Sequence, residues 1–553
     1  MTPDVVIVGA GAGGGAAAWR LCTQGLRVLL LEAGPRFDPA RDYSLTAPGW
    51  ERRGFPDPPG SRAEITYGDL GALDPADADL ASWNAVRGRL VDGARRAVAA
   101  GYAHVQGVGG STLHYVGEAH RLHPESFALA TRHGVGADWP LDYATLEPYY
   151  AACEAAIGVA GPAEGGGGRW RSGPYPLPPH PLSPAAAALA TAGGRLGMTW
   201  EANARAALSR PYDGRPACNY CANCSRGCPL GDKGSTDVTF LRHAEATGNL
   251  VLRTGAAVTR LVPGPGGRIE AVEYVHDGRR ARQETPVLVL AGGAVQTPRL
   301  LLASASAEQP EGLANGSGAV GRHFMETLAW RSAGLAPDVA MSHAGLPADA
   351  VSWDFNAPDG VPGAVGGCRF TSDVQESGLV GPIGYASRLV PGFGAAFKAR
   401  LRARFGSAVS VSGLGAVLPD ARSRVDLHPE RTDAHGVPLP RIHSVLTANS
   451  HALLRFMAER ARRLLSEVGV TGIAEESSSW DRFSATHVFG TCRMGTDPAR
   501  SVVDSFGRAH DHPNLYIADA SVFPSTGGGE SPSLTIHALA LRTADRIARD
   551  APQ

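Results

Sequence analysis

Glycine-punctuated apolar runs dominate the start of the chain. Val5-Val6-Ile7-Val8 is uninterrupted and β-branched, which predicts a strand buried on both faces. Gly9-Ala10-Gly11-Ala12-Gly13-Gly14 follows at once. The Ala-rich stretch Ala16 to Cys22 reads as a helix that Gln24-Gly25-Leu26 ends, and Arg27 to Leu31 is a second apolar strand with Glu32 at its end. Farther along, residues 408–417 alternate partly and 423–427 form a second candidate strand. From His451 to Val468, residues Leu453, Leu454, Met457, Ala461, Leu464, Leu465 and Val468 share one helical face, as expected of a helix covering a sheet. Asn514 to Asp519 is a strand ending in an acid, and Ser531 to Ile536 opens a long Ala/Leu-rich helix reaching Arg549. The Pro- and Gly-rich stretch 161–184 predicts a long surface loop over an active-site mouth. No repeat of fixed period is visible.

Each piece of the opening pattern has a physical job. Gly9 permits a tight turn, Gly11 lets backbone approach a pyrophosphate, and Gly14 lets helix pack closely on strand. The helix start offers unpaired N–H groups and a positive dipole end to phosphates. Glu32, 18 residues after Gly14, can hydrogen-bond ribose hydroxyls. These features predict a dinucleotide site without separating FAD from NAD.

The 553 residues exceed one compact core and predict two domains. A net charge of −1 argues against a nucleic-acid surface. With Lys233 and Lys398 the only lysines, positive charge is almost all arginine, as in GC-rich bacterial genomes. No run of 18 apolar residues predicts a membrane span. No charged and apolar leader precedes the first strand, so the default location is the cytoplasm, with periplasmic export on a partner as the alternative.

Three further stretches carry a family resemblance. Gly107-Val108-Gly109-Gly110-Ser111-Thr112-Leu113-His114-Tyr115 resembles the glycine-rich loop along the flavin in glucose–methanol–choline (GMC) oxidoreductases. Residues 291–301 resemble the family's G-A-x-x-T-P-x-L-L signature, and 487–495 its H-x-x-G-T-x-R-M-G segment. The resemblance runs the length of the chain. It implies an α/β fold in which a Rossmann-like FAD domain (1–135, 235–325, 485–553) is interleaved with a substrate domain (136–234, 326–484) built on a mostly antiparallel sheet covered by helices. It also implies FAD contacts at Gly9, Gly11, Gly14, Glu32, Gly109, Gly110, Ser111, His114, Val258, Asp519 and Ala520. His114 stands where some members attach FAD covalently and others hold it without a bond.

By the same resemblance, His487 takes a hydroxyl proton while the α-hydrogen leaves as hydride to flavin N5. An imidazole, whose pKa lies near working pH, suits this. The family's usual second His or Asn is replaced here by Ser531, preceded by Glu530. Glu530 reads either as a base or partner of His487, or as a turn residue facing solvent. Cys218, Cys221, Cys224 and Cys228 have ferredoxin-like spacing. An iron–sulfur cluster, structural thiols, a disulfide and zinc all stay open, whereas Cys22, Cys153, Cys368 and Cys492 read as packed interior residues.

The implied function is oxidation of a CH–OH group on a sugar, polyol or similar metabolite. The sugar and gluconate dehydrogenase branch is the nearest in look, with a small accessory subunit, haem or quinone as electron-accepting partner. The alternatives are a peroxide-forming alcohol oxidase, or an atypical elimination or decarboxylation suggested by Ser531.

Overall fold

The computed structural model describes residues 3–43, 45, 50–52, 54–56, 61–164 and 166–551. The predicted first strand, Val5–Val8, lies at the centre of a five-stranded parallel sheet. Val287–Leu290 and then Leu515–Ile517 flank it on one side, Val28–Leu31 and then Leu250–Arg253 on the other. The near-continuous apolar character of Val5–Val8, Val28–Leu31 and Val287–Leu290 follows from helices covering the sheet. The helix Ala12–Thr23 packs against Ser533–Asp550, the amphipathic helix expected at the carboxy-terminal end, and against Phe240–Ala246.

The second layer is an eight-stranded antiparallel sheet. Its central strands are Ile473–Ser478, Leu328–Leu335, Ala408–Gly415 and Cys368–Ser372. The helix Ala448–Val468 covers one face, burying Leu453, Leu454, Met457, Ala461, Leu464 and Leu465. Thr447 caps its start by accepting the Ser450 N–H, and Gly469 ends it at φ 93°. Strand parity places Leu328 and Trp330 in the core, while Ala329 and its cross-strand partner Leu414 face a cavity between the layers. One continuous apolar core joins both layers.

Three expectations change in detail. The 423–427 segment becomes the longer strand Arg424–Thr432, which joins Pro438–His443 and Thr66–Tyr67 in a separate small sheet. The edge strand Gly88–Arg89 of the large sheet and its neighbour Trp83–Asn84 come from the first 135 residues. The 161–184 stretch, of which residue 165 lies outside the described residues, is a long surface segment as expected, but it is pinned to the protein and does not cover the cavity. Arg169 is buried and bonds Glu530 and Asn356, Arg171 pairs with Glu154, and no described residue of the stretch lines the cavity. Among the described residues, no helix is long and apolar enough to cross a membrane.

Candidate active site

A cavity of about 700 Å³ opens at the carboxyl ends of the parallel strands, where Val8, Leu31 and Leu290 line it. Gly9, Gly11, Glu32, Gly110, Ser111, His114, Val258, Asp519 and Ala520 line it as well. Gly14 and Gly109 act from behind the wall. A Cβ on Gly14 would meet the Gly9 carbonyl oxygen at 1.9 Å, so Gly14 is the helix-to-strand contact. Gly109, at φ 112°, starts the short 3₁₀ turn Gly110–Leu113. The Glu32 carboxylate accepts the N–H groups of Ala10 and Gly34 at 2.8 Å each, and burial pushes it up to about 7. Asp519 ties its own turn to the start of the Gly293–Ala303 helix, accepting from the Gly293 and Ser521 N–H groups and from the Thr297 hydroxyl.

The same cavity is lined by His487, Ser531, Glu118, Thr327 and Glu376. His487 directly precedes the strand Val488–Phe489, which pairs with Met325–Glu326. This pairing sets Thr327 against it: the Thr327 N–H donates to the His487 carbonyl at 3.2 Å, and the Thr327 hydroxyl lies 3.4 Å from Nδ1. Burial lowers the imidazole to about 4, with Arg369 adding to the shift and Glu118 opposing it, so His487 is neutral near pH 7.

Ser531 is held by two bonds. Its N–H donates to His120 Nδ1 at 3.1 Å, and its hydroxyl donates to Glu118 Oε2 at 2.7 Å. Glu118 is buried, which raises a carboxyl, but Arg369, His120 and Arg205 hold it well below the usual carboxylate range. Arg369 grips both its oxygens, at 2.9 and 2.7 Å, and Asn203 donates a further bond. Because Glu118 can only accept, the Ser531 hydroxyl proton is committed and its oxygen turns lone pairs to the cavity.

Glu530 lies outside the cavity wall. It is fully buried and accepts the His123 N–H and the Arg169 guanidinium through Oε1, at 2.9 and 2.8 Å. It is therefore not a solvent-facing turn residue, and the carboxylate that acts on His487 is Glu118.

The cysteine run gives no support to the cluster reading. All eight cysteines are free thiols, and among the described residues no group of three His, Cys, Asp or Glu side chains is placed to hold a metal. Left-handed residues Tyr220 and Ala222 and the 3₁₀ turn Cys224–Arg226 wind the segment. Cys228 donates to Asp232 instead, and burial with Asp232 beside it pushes its thiol up to about 12. The segment is organised around a cation of its own: the buried Lys233 ammonium donates to the carbonyls of Leu113, Tyr115 and Cys224. The run thus braces the glycine-rich loop.

Family models described as GMC oxidoreductase match residues 177–328 and 419–540, and one described as NAD(P)-binding Rossmann-like domain matches 7–38. The chain is 31% identical to the fructose dehydrogenase large subunit of Gluconobacter japonicus, over 100% of this chain and 99% of that one. The chain belongs to the GMC oxidoreductase family. This GMC oxidoreductase is also 32% identical to paromamine 6'-oxidase of Streptomyces fradiae, over 99% of its own length and 91% of the relative's. It is 27% identical to the gluconate 2-dehydrogenase flavoprotein of Pantoea cypripedii, over 98% and 93%. Pyridoxine 4-oxidase from Mesorbium loti shares the fold, with a TM-score of 0.65 at 21% identity and full coverage of both chains.

Family membership and the Rossmann-like start imply FAD, and the GMC oxidoreductase cavity fits it. Glycine at Gly11 and Gly110 leaves the backbone bare: a Cβ on Gly110 would stand 2.7 Å from the Gly11 Cα. No side chain caps the Ala12–Thr23 helix, so its first N–H groups remain for a pyrophosphate. His114 Nε2 and Gln296 Nε2 are buried in the wall without a partner, as donors awaiting a polar ligand would be. Protein purified without air is expected to show flavin absorption with no broad brown shoulder. A shoulder lost when the run Cys218, Cys221, Cys224 and Cys228 is replaced by serine would restore the cluster reading.

Glu118, Arg369, Thr327 and Glu376 escaped the sequence reading. Arg369 had a signal, as a lone charge in the run Cys368-Arg369-Phe370 that must be buried, and Glu118 stands seven residues past Ser111 of the glycine-rich loop.

Proposed function

We propose that this GMC oxidoreductase oxidises a CH–OH group of a small polyhydroxylated substrate, with His487 removing the hydroxyl proton. The observation that carries this reading is a neutral imidazole in the wall of the same cavity as the dinucleotide loop. FAD, when bound, supplies the two-electron acceptor for the hydride. In the tautomer with the proton on Nδ1, that N–H donates to the Thr327 hydroxyl, and Nε2 keeps a lone pair for the substrate proton. Ser531, fixed by Glu118 and His120, accepts a hydrogen bond from the substrate and sets its orientation. The full-length likeness to a dehydrogenase large subunit supports an electron acceptor other than oxygen, taken on an accessory partner.

Air-free mixing of the flavin-loaded protein with sugars and polyols tests this. Bleaching of the flavin band, slow recovery in air and fast recovery with a quinone or dye are the expected results. Fast recovery in air with stoichiometric peroxide would make the enzyme an oxidase. No bleaching by any hydroxylated compound would overturn alcohol oxidation altogether.

A further inference from the structure

Three carboxylates gather where the eight-stranded sheet meets the cavity, and their partners differ. Glu118 is satisfied by Arg369, Asn203 and Ser531. Asp373 accepts the Ser410 hydroxyl at 3.3 Å and faces Arg331 at 3.7 Å. Glu376, just past the Cys368–Ser372 strand, lines the cavity and has no hydrogen-bond partner among the described residues. Its side chain is reached by water yet enclosed by protein.

The cations that act on Glu376 are already committed. Arg369 spends its guanidinium on Glu118 and the Gly529 carbonyl. Arg205 donates to the carbonyls of Val116, Pro347 and Ala348. Burial, with Asp373 and Glu118 beside it, pushes the Glu376 carboxyl up to about 8. Arg205 and Arg369 oppose this, and Arg331 and Arg388 act on Asp373 behind it. The carboxyl is exposed to the cavity, and no cation among the described residues pairs with it. The oxygen of Ser531, its proton spent on Glu118, also offers only lone pairs. Both fixed polar groups therefore ask the substrate for donors.

We propose that Glu376 is a specificity-determining residue, binding an ammonium group carried by the hydroxylated substrate at a position away from the carbon that is oxidised. The substrate class is then the amino sugars and amino polyols. The ammonium forms a charge-assisted pair with Glu376, while the hydroxyl that is oxidised donates to His487 and another donor of the substrate meets Ser531. Binding to the protonated carboxyl releases its proton. This rests on the reading of the cavity as a site of alcohol oxidation.

The test pairs each of several amino sugars, bearing the amine at different carbons, with the sugar that has a hydroxyl in its place. The selectivity for the ammonium member, as the ratio of kcat/KM values from flavin reduction, is measured in wild type, Glu376→Gln and Glu376→Asp holoenzyme. The expected result is a wild-type preference for an amino sugar, with the ratio falling by about 10- to 100-fold in Glu376→Gln. The loss should lie in KM, and Glu376→Asp should keep the preference. The wild-type preference should rise with pH as Glu376 ionises, until the substrate amine itself deprotonates. No ammonium preference anywhere in the panel, or an equal ratio in wild type and Glu376→Gln, overturns the proposal. If no sugar bleaches the flavin, the oxidation reading fails separately. Calorimetric binding of the same amino sugars, with and without Glu376→Gln, then decides the ammonium site, and unaltered or absent binding rejects it.

Discussion

Replacing His487 with alanine is expected to lower kcat/KM by about two to four orders of magnitude, the usual worth of a positioned general base. Flavin content should be retained, because the imidazole lines the cavity while the backbone pairing of Val488–Phe489 with Met325–Glu326 holds the segment without it. The side chain is posed from both sides: its own carbonyl accepts the Thr327 N–H, and its Nδ1 faces the Thr327 hydroxyl. The pH profile gives a second reading of the same residue. Burial lowers His487 to about 4, so the active neutral form persists well below the range in which a solvated histidine would protonate. The acid limb of kcat/KM should therefore fall near pH 4, and Glu118→Gln should lower it further by removing the carboxylate that opposes the shift. An unchanged rate in His487→Ala would sink the base assignment. An acid limb near the ordinary histidine value of 6.5 would show instead that the imidazole is solvated when it acts.

Replacing Arg369 with methionine is expected to cost about 3–5 kcal/mol of stability, the loss typical of a buried pair stripped of one partner. Arg369 is fully buried, grips both oxygens of Glu118 and donates to the Gly529 carbonyl beside the turn that leads into Ser531. Methionine fills much of the volume and leaves Glu118 with Asn203 and Ser531 alone. The sign of the pH dependence follows. Glu118 has its folded-state pKa lowered below the ordinary 4.5. Its pairing stabilises the fold above that value and stops doing so as pH falls through the folded one. The gap between wild type and Arg369→Met in urea unfolding should thus be full at neutral pH and narrow below about pH 4. Pairing the change with Glu118→Gln should recover part of the loss, since the orphaned charge goes with it. Equal gaps at both pH values would mean that packing, rather than charge, is what Arg369 supplies.

The parts legible in the sequence are those whose signal is local. Val5–Val8, the glycine loop, Val28–Leu31 and Glu32 announce themselves within some thirty residues, because strand, turn and helix each constrain neighbouring positions. His487 was reachable through a contiguous motif. The Glu118–Arg369 pair joins residues 251 positions apart, and nothing near either one names the other. Glu376 matters through what it lacks, and a missing partner leaves no trace in a string of letters. The cysteine run shows the converse. Its spacing permits convergence on a metal, but left-handed turns at Tyr220 and Ala222 and the Lys233 ammonium decide where the thiols go. Glu530 and Ser531 are adjacent in sequence, yet one meets Arg169 and the other the cavity.

The parallel sheet also sets a timetable for biosynthesis. Val5–Val8 leaves the ribosome long before its outer neighbours, yet it is the middle strand, flanked by Val28–Leu31 and by Val287–Leu290, beyond which Leu515–Ile517 forms the edge. At about 5–20 residues per second, the nascent chain emerges for roughly half a minute to two minutes before that edge can close. Once made, Val287–Leu290 has an unpaired side until that edge arrives, and the helix Ala12–Thr23 has no Ser533–Asp550 to lie against. The parallel sheet is therefore completed only once Leu515–Ile517 has been made, and until then its apolar strands stay open to association with other chains.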